Sequence, residues 1–344
     1  MSTAHSVVPQ SSQPTPLKIF QLLNAYQQTE ALKAAIELDL FTQIGDGGAS
    51  AAQIAAQIKA DARGVRILCD YLVITGLLEK RGERYLPTPE SQMFLSKRSP
   101  AYIGAATQFL CTPIHCAHFG KLAEAVRRGG AAQDESASTA PDNPMWIEFA
   151  RGMASLRVPS AAYIAELLGA SSGEPWKVLD IAASHGIFGI TIAQRNPKAR
   201  IVGVDWPNVL EVTKENAAKA GVSDRYSTIP GSAFDVDFGS GYDVVLLTAF
   251  LHHFDIPTNE KLLKKIHAAL KPGGRVATLE FIPNEDRISP PHAAGFSLTM
   301  LANTPAGDAY TFKELEQMFR HAGFSSSELR ENPAGIDQVI ISKK

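Results

Sequence analysis

The chain has 344 residues, of which 45% are hydrophobic and 20% are charged, and its formal net charge is −2. This length allows two domains with a sizeable core, and the near-neutral charge gives no sign of a nucleic-acid or anionic-membrane partner. No apolar run approaches the roughly 20 residues that a membrane helix needs, and the polar start is unlike a signal sequence. With only three cysteines, the composition favours a reducing compartment, and we expect a cytoplasmic protein.

The first hundred residues predict a helical domain that ends in a β-hairpin. Residues 1–16, rich in Ser, Gln and Pro, are typical of a disordered lead-in. Apolar residues at helical spacing predict one or two helices over 17–40 and further helices over 51–58 and 62–75. Two short strands within 78–86 complete the outline of a winged helix, which we assign to residues 17–100.

A winged helix raises the question of DNA binding. Its candidate recognition helix, 62–75, carries only Arg63 and Arg66 against Asp70, so few phosphate contacts are available. A packing and dimerisation module is therefore favoured over a DNA-binding one.

Residues 101–170 are predicted to form a helical linker that contributes to a substrate pocket. Helix is expected over 102–128 and over 145–168, the latter interrupted at Pro159, with a flexible loop at 129–144 between them. The first helical segment holds four potential metal ligands: Cys111, His115, Cys116 and His118. Their spacing matches no closed zinc pattern, so the lining of an apolar pocket is favoured over a metal site.

The most informative stretch is a strand, turn, helix and second strand at 176–206. Lys177 to Ile181 is an apolar run typical of a buried parallel strand, and the small residues of 182–186 let a ligand approach the main chain. The second strand, 200–204, ends at Asp205. A carboxylate at the tip of the second parallel strand is well placed to accept hydrogen bonds from ribose hydroxyls.

The same turn disfavours a phosphate ligand. Gly186 and Gly189 are present, but Ser184 and His185 occupy positions where a pyrophosphate needs close backbone approach. Asp180, just before the turn, repels phosphate and favours a cation. S-adenosylmethionine, a nucleoside without phosphate that carries an ammonium and a sulfonium group, meets both conditions.

Alternation of helices and strands continues to the end of the chain. Together with the two strands above, five further strands predict a seven-stranded α/β sheet over residues 171–344, with the ligand cleft at the carboxyl ends of the first four strands. The five further strands are expected at 225–229, 242–248, 275–281, 326–330 and 338–342.

Several segments, in chain order, carry a family resemblance: VLDIAASHGIFGI, IVGVDWP, GSAF, LHHF, LKPGGRVATLEF and AYTFKELEQMFRHAGF. Behind a winged helix, they resemble the two-domain small-molecule O-methyltransferases of plant phenolic and bacterial secondary metabolism. The similarity spans residues 17–342. It implies an α/β fold with a Rossmann-like methyltransferase sheet, a mostly helical winged-helix dimerisation domain, and a homodimer interlocked through that domain, which closes over the partner's pocket.

The resemblance also implies roles for individual positions. Asp205 would hold the ribose of S-adenosylmethionine, and Glu280 would orient the general base, His252. The other residues expected at the cofactor are Asp180, Ala182, Ser184 and Gly186 in and before the turn, Trp206, Ser232, Ala233 and Phe234 beside the adenine, and Thr248.

The chemistry of methyl transfer agrees with these assignments. The enzyme mainly positions the acceptor and removes its proton, and a neutral imidazole with a carboxylate partner suits a phenolic hydroxyl. His253, the neighbour of His252, is the second candidate base. Phe149, Met153, Phe296 and Met300 are expected as apolar walls of the acceptor pocket, and no metal is expected.

Three positions depart from the family pattern. Ser184 replaces a glycine of the cofactor turn, Ser232 stands where many relatives have an aspartate, and Ala309 occupies the place of a second acid beside the base.

From the resemblance and the chemistry of His252, we expect O-methylation of a small aromatic hydroxyl compound. N- or C-methylation of a small molecule, or a non-catalytic cofactor-binding partner protein, stays open.

Overall fold

The structure, a computed structural model, describes residues 14–132 and 145–344. These form two compact units, divided between Gly104 and Ala105. The predicted lead-in lies outside the described residues up to residue 13, as do residues 133–144 of the predicted loop. The two units are described in turn.

The N-terminal unit consists of helices and one small sheet. Residues 17–40 were predicted to form one or two helices, and two are present, separated by a break after Leu23. A turn at Asp39, whose φ is +54°, then starts a third short helix at Leu40. The elements are α1 (Leu17–Leu23), α2 (Tyr26–Glu37), α3 (Leu40–Ile44), β1 (Ala49–Ser50), α4 (Ala51–Ile58), α5 (Ala62–Ile74), β2 (Leu78–Arg81), β3 (Arg84–Pro87) and α6 (Pro89–Leu95).

The expected hairpin of the winged helix is formed by β2 and β3, and β1 adds a third antiparallel strand on the β3 side. Local sequence explains where the helices start. The Ser50 side chain and Gln53 form a reciprocal capping box at α4, and the Asp61 carboxylate accepts two backbone N–H bonds at the start of α5. Such caps satisfy backbone donors that a helix leaves free.

The second unit opens with a helical layer. A 3₁₀ turn and three short helices replace the predicted helix over 102–128, and Pro113 starts a helix, a position where proline is tolerated. The long helix passes through Pro159 without the predicted interruption, since the buried face that follows holds it against the sheet domain. These helices are α7 (Thr107–Leu110), α8 (Pro113–Gly120), α9 (Leu122–Arg128) and α10 (Met145–Leu167).

The predicted seven-stranded α/β sheet is confirmed. Its strands lie in the order β6-β5-β4-β7-β8-β10-β9, and β10 alone runs antiparallel to the other six strands. The elements are β4 (Lys177–Ile181), α11 (Ile187–Arg195), β5 (Arg200–Asp205), α12 (Pro207–Lys219), β6 (Tyr226–Pro230), β7 (Tyr242–Thr248), α13 (Ile256–Ala269), β8 (Leu270–Glu280), α14 (Pro291–Asn303), α15 (Phe312–His321), β9 (Ser326–Glu331) and β10 (Gln338–Lys343).

This strand order places a cleft at one edge of the sheet. The chain runs outward from β4 through β5 to β6 and then returns to the other side of β4 with β7. Ligands of open α/β sheets bind at the carboxyl ends of the strands where the order reverses. The segments that follow β4, β5, β7 and β8 therefore meet at one place. No described helix is both long and apolar enough to traverse a lipid bilayer.

Candidate active site

The turn after β4 has an unusual backbone that its neighbours hold in place. Ala182, Ser184 and Gly186 have φ values of +53°, +51° and +73°, a region that residues other than glycine rarely adopt. The Ser184 N–H donates to Asp205 Oδ2 at 2.8 Å, and Thr213 Oγ1 donates to the Ser184 carbonyl at 2.5 Å. The turn is thereby tied to the end of β5 and to α12.

Asp205 is held by backbone donors on both of its oxygens. Besides the bond from Ser184, Asp205 Oδ1 accepts from the Trp206 N–H at 2.7 Å. Burial raises the pKa of this carboxyl to about 6, and the two N–H donors act in the opposite direction. Because a carboxylate has about four lone-pair sites, Asp205 can still accept hydrogen bonds from neighbouring hydroxyls.

Asp180 lies beneath the turn. Its Oδ2 accepts from the Gly189 N–H at 3.2 Å and from the Tyr226 hydroxyl at 3.1 Å, while its Oδ1 has no partner among the described residues. Burial raises the pKa of Asp180 to about 7. The carboxyl is 1% exposed, so Asp180 supports the turn and the first part of α11 from below.

The loop after β6 brings Ser232, Ala233 and Phe234 to the same edge. Lys265 of α13 fixes this loop, because its ammonium donates to the carbonyls of Ala233, Phe234 and Val236 at 3.0, 3.0 and 2.5 Å. The Phe234 ring lies edge-on to Phe254, with ring centroids 4.9 Å apart. The loop therefore presents an ordered apolar surface beside the turn.

The turn after β7 and the end of β8 meet at the His252–Glu280 pair. His252 Nδ1 lies 2.6 Å from Glu280 Oε2, and both side chains are buried. Glu280 Oε1 accepts from the Phe250 and Leu251 N–H groups at 3.0 and 2.8 Å. Because an ionised carboxylate only accepts, the neutral imidazole carries its proton on Nδ1. Nε2 is then left as a proton acceptor.

Three further contacts fix the backbone of this turn. The Asn259 amide donates to the Leu251 and Phe254 carbonyls at 2.9 and 3.2 Å, and the Tyr310 hydroxyl donates to the Phe254 carbonyl at 2.6 Å. A Cβ at Gly307 would overlap the His252 carbonyl oxygen, so only glycine allows this close approach. The position of His252 is thus determined by several elements at once.

His253 has a different environment from His252. Its ring lies 4.4 Å from that of His252 and edge-on to Trp146 of α10 at 5.6 Å. Burial, and next the neighbouring His252, hold the pKa of His253 well below its ordinary value. His253 is therefore neutral near pH 7.

An arc of aromatic rings starts at the buried pair and passes along the helical layer. Phe296 of α14 lies edge-on to His252 at 4.9 Å and stacks on Phe281 at 4.0 Å. On the other side, the ring contacts run from His253 through Trp146, Phe149 and Phe109 to His115. These rings could line a pocket for a flat apolar molecule.

The remaining predicted residues lie near this arc or at the strand ends. Met153 is half-buried one turn beyond Phe149 on α10, and Met300 is buried one turn beyond Phe296 on α14. Thr248 is buried at the last position of β7, and Trp206 packs against Ala150 and the start of α12. The predicted place of a second acid, Ala309, holds no carboxylate, and among the described residues only Glu280 pairs with His252.

Sequence reasoning missed several residues of the site. Phe250, Trp146 and Phe109 are brought in by contacts between distant segments, which the sequence does not reveal. Asn259 carries a detectable signal, because it is a polar residue on the buried face of α13, which is otherwise formed by Leu262, Leu263, Ile266 and Ala269. A buried polar group of this kind requires partners.

Comparison with known protein families explains this arrangement. The family model of the O-methyltransferase domain matches residues 136–325, more than half of the chain, and that of the O-methyltransferase dimerisation domain matches residues 20–97. The chain belongs to the O-methyltransferase family. This O-methyltransferase is an S-adenosylmethionine-dependent enzyme, as the family is, which sets aside the non-catalytic alternative.

Three relatives illustrate the similarity. A candidate O-methyltransferase of known structure from Nostoc punctiforme is 51% identical with a TM-score of 0.94, covering 96% of this chain and all 100% of that one. The 3-hydroxy-5-methyl-1-naphthoate 3-O-methyltransferase of Streptomyces sahachiroi is 29% identical, over 96% of this chain and 95% of its own. The Serratia methyltransferase PigF, whose structure contains S-adenosylhomocysteine, is 26% identical with a TM-score of 0.82, and the match covers 96% of this chain and 100% of the PigF chain.

The residues of this O-methyltransferase fit its cofactor. Asp205 offers free lone pairs for a pair of hydroxyls, the Ser184 hydroxyl in the turn has no partner among the described residues, and Phe234 and Trp206 are apolar surfaces nearby. The described residues contain no group of His, Cys, Asp or Glu side chains that could hold a metal ion.

Proposed function

We propose that this O-methyltransferase methylates a hydroxyl group of a small aromatic compound, with His252 as the general base. The observation that carries the proposal is the buried His252–Glu280 hydrogen bond of 2.6 Å. It fixes the proton on Nδ1 and leaves Nε2 as the acceptor at the end of an aromatic arc.

The chemistry divides between cofactor and protein. When bound, S-adenosylmethionine supplies an electrophilic methyl group on a sulfonium. His252 Nε2 accepts the proton of the acceptor hydroxyl, and the Glu280 carboxylate stabilises the imidazolium that forms. A positioned base of this kind contributes roughly 10²–10⁴-fold to the rate.

The lining of the proposed pocket supports an aromatic acceptor. Phe296, Trp146 and Phe149 offer edges and faces to a flat molecule, and such contacts favour aromatic rings. The S. sahachiroi relative acts on a hydroxylated naphthoate according to its name, which agrees with this class. Met153 and Met300 are proposed as the remaining walls.

For the cofactor, we keep the residue roles expected from the sequence as proposals. Asp205 would accept the ribose hydroxyls, Ala182, Ser184 and Gly186 would follow the amino-acid part, and Trp206 with residues 232–234 would flank the adenine. Thr248 would border the methyl group. Asp180 would act indirectly, since its carboxyl contacts Gly189 and Tyr226 beneath the turn.

The match to the dimerisation domain indicates a homodimer. The exposed apolar side chains of α1, among them Leu17, Phe20 and Leu23 at 62%, 58% and 66% exposure, are consistent with burial against a second copy. The domain boundaries expected from the sequence, at residues 16, 100 and 170, and the cytoplasmic location stay predictions.

The test is the His252→Ala variant, assayed with S-adenosylmethionine and a panel of phenols and naphthols. We expect turnover to fall roughly 10²–10⁴-fold while the affinity for S-adenosylhomocysteine is kept. Mass spectrometry of the product locates the methyl group and separates O-methylation from N- or C-methylation. Near-normal turnover of the variant would exclude the base and leave catalysis by proximity alone.

A further inference from the structure

His118 of α8 has one ring nitrogen that no described residue satisfies. Its Nδ1 lies 2.7 Å from Asn303 Oδ1, and its Nε2 is buried without a hydrogen-bond partner in the described part of the chain. The side chain is 5% exposed. A buried polar atom without a partner costs free energy, so this nitrogen requires an explanation.

The tautomer of His118 follows from the Asn303 amide. Asn303 Nδ2 donates to the Thr299 carbonyl one turn back on α14 at 2.8 Å, which orients Oδ1 towards the imidazole. Because Oδ1 only accepts hydrogen bonds, the neutral His118 ring places its proton on Nδ1. Its Nε2 therefore carries a lone pair that can accept a hydrogen bond, and no described residue donates one to it.

Two helices that carry residues of the proposed acceptor pocket, α8 and α14, meet at His118. On α14, Phe296 and Asn303 are seven residues apart, which is close to two turns, so they share one helix face. Phe296 contacts the base at one end of this face, and Asn303 binds His118 at the other. On α8, His115 lies one turn before His118 and continues the aromatic arc through Phe109 to Phe149.

We propose that His118 Nε2 accepts a hydrogen bond from a second donor group, a hydroxyl or N–H, at the far end of the aromatic acceptor. This rests on the proposed function, in which the near hydroxyl lies at His252. Seven residues along α14 correspond to roughly 10 Å, so the acceptor is an elongated molecule of about two rings with a donor at each end.

The experiment measures binding to the full-length protein saturated with S-adenosylhomocysteine. The three probes are p,p′-biphenol, whose hydroxyls span a comparable distance, p-phenylphenol, which lacks the second hydroxyl, and the monomethyl ether of p,p′-biphenol, whose second oxygen only accepts. We expect p,p′-biphenol to bind on the order of tenfold more tightly than either of the others.

Two variants assign this preference to His118. In His118→Phe, which keeps the ring but not the acceptor, we expect the preference to disappear while p-phenylphenol binds as before. In His118→Gln, whose amide oxygen reaches a similar position, we expect the preference to return in part. Unchanged affinity for S-adenosylhomocysteine checks that both variants are folded.

The outcomes separate this inference from the proposed function. Equal binding of all three probes by the unmodified protein, which a buried water on Nε2 would produce, overturns the role of His118 and leaves the aromatic acceptor intact. A preference that persists in His118→Phe also overturns it. Binding of none of the probes overturns the aromatic acceptor and this inference with it.

Discussion

Replacing Glu280 with Gln tests how the buried pair works, because this substitution changes the charge and leaves the shape. Glu280 Oε1 receives two backbone N–H bonds, so the carbonyl oxygen of the new amide must occupy that place. Its NH₂ group then faces His252 Nδ1, which becomes an acceptor. The imidazole proton moves to Nε2, and the base can no longer accept a proton from the substrate.

The expected loss of rate follows from this wrong tautomer. The comparable Asp-to-Asn replacement in a serine-protease triad lowers kcat about 10⁴-fold. We expect a decrease of kcat of roughly 10³-fold in Glu280→Gln, which corresponds to about 4 kcal/mol of barrier. KM and the affinity for S-adenosylhomocysteine should stay near their original values.

Glu280→Ala is the matched control, because it removes the acceptor of the Phe250 and Leu251 N–H groups as well. Each buried donor left without a partner costs about 1–3 kcal/mol. The free energy of unfolding in urea should therefore fall clearly in Glu280→Ala and little in Glu280→Gln. The reasoning is refuted if Glu280→Gln keeps kcat within about threefold, or if both variants lose the same stability.

Two further predictions concern the carboxyls of the cofactor turn. The pKa of Asp205 is raised to about 6, so protonation below that pH removes an acceptor lone pair from the proposed ribose site. The affinity for S-adenosylhomocysteine, measured by calorimetry, should therefore fall as the pH drops through 6. The Asp205→Asn variant should bind S-adenosylhomocysteine weakly at every pH, with little pH dependence. The pKa of Asp180 is raised from 3.8 to about 7, so the native state binds the extra proton and stability should be lost as the pH rises through this range. In Asp180→Asn the unfolding free energy should vary less between pH 5 and 8, and equal slopes in both proteins would contradict the raised pKa of Asp180.

The sequence predicted those parts of the site that follow directly from strand ends. His252 and Glu280 each come at the carboxyl end of an apolar run, and neighbouring parallel strands bring such ends together. Asp205 was predictable for the same reason. The pairing of His252 with Glu280 therefore needed only the strand order and the family resemblance.

Other features depended on contacts that the sequence does not encode locally. Pro159 predicted an interruption, but the helix continues because packing of its buried face outweighs one lost backbone hydrogen bond. The ring contact of Trp146 with His253 joins segments over a hundred residues apart. His118 was predicted to line an apolar pocket, and only the orientation of Asn303 reveals its unpaired nitrogen.

The absence of a side chain at Gly307 has a mechanical consequence. Its N–H donates to Thr304 Oγ1 at 2.9 Å, and that hydroxyl donates to the Met300 carbonyl in the last turn of α14 at 2.7 Å. Since the Gly307 backbone lies directly on the His252 carbonyl, α14 and the turn that carries the base are clamped into one frame. A displacement of α14 is therefore expected to carry His252 with it, so that the distance between the proposed acceptor wall and the proposed base is preserved.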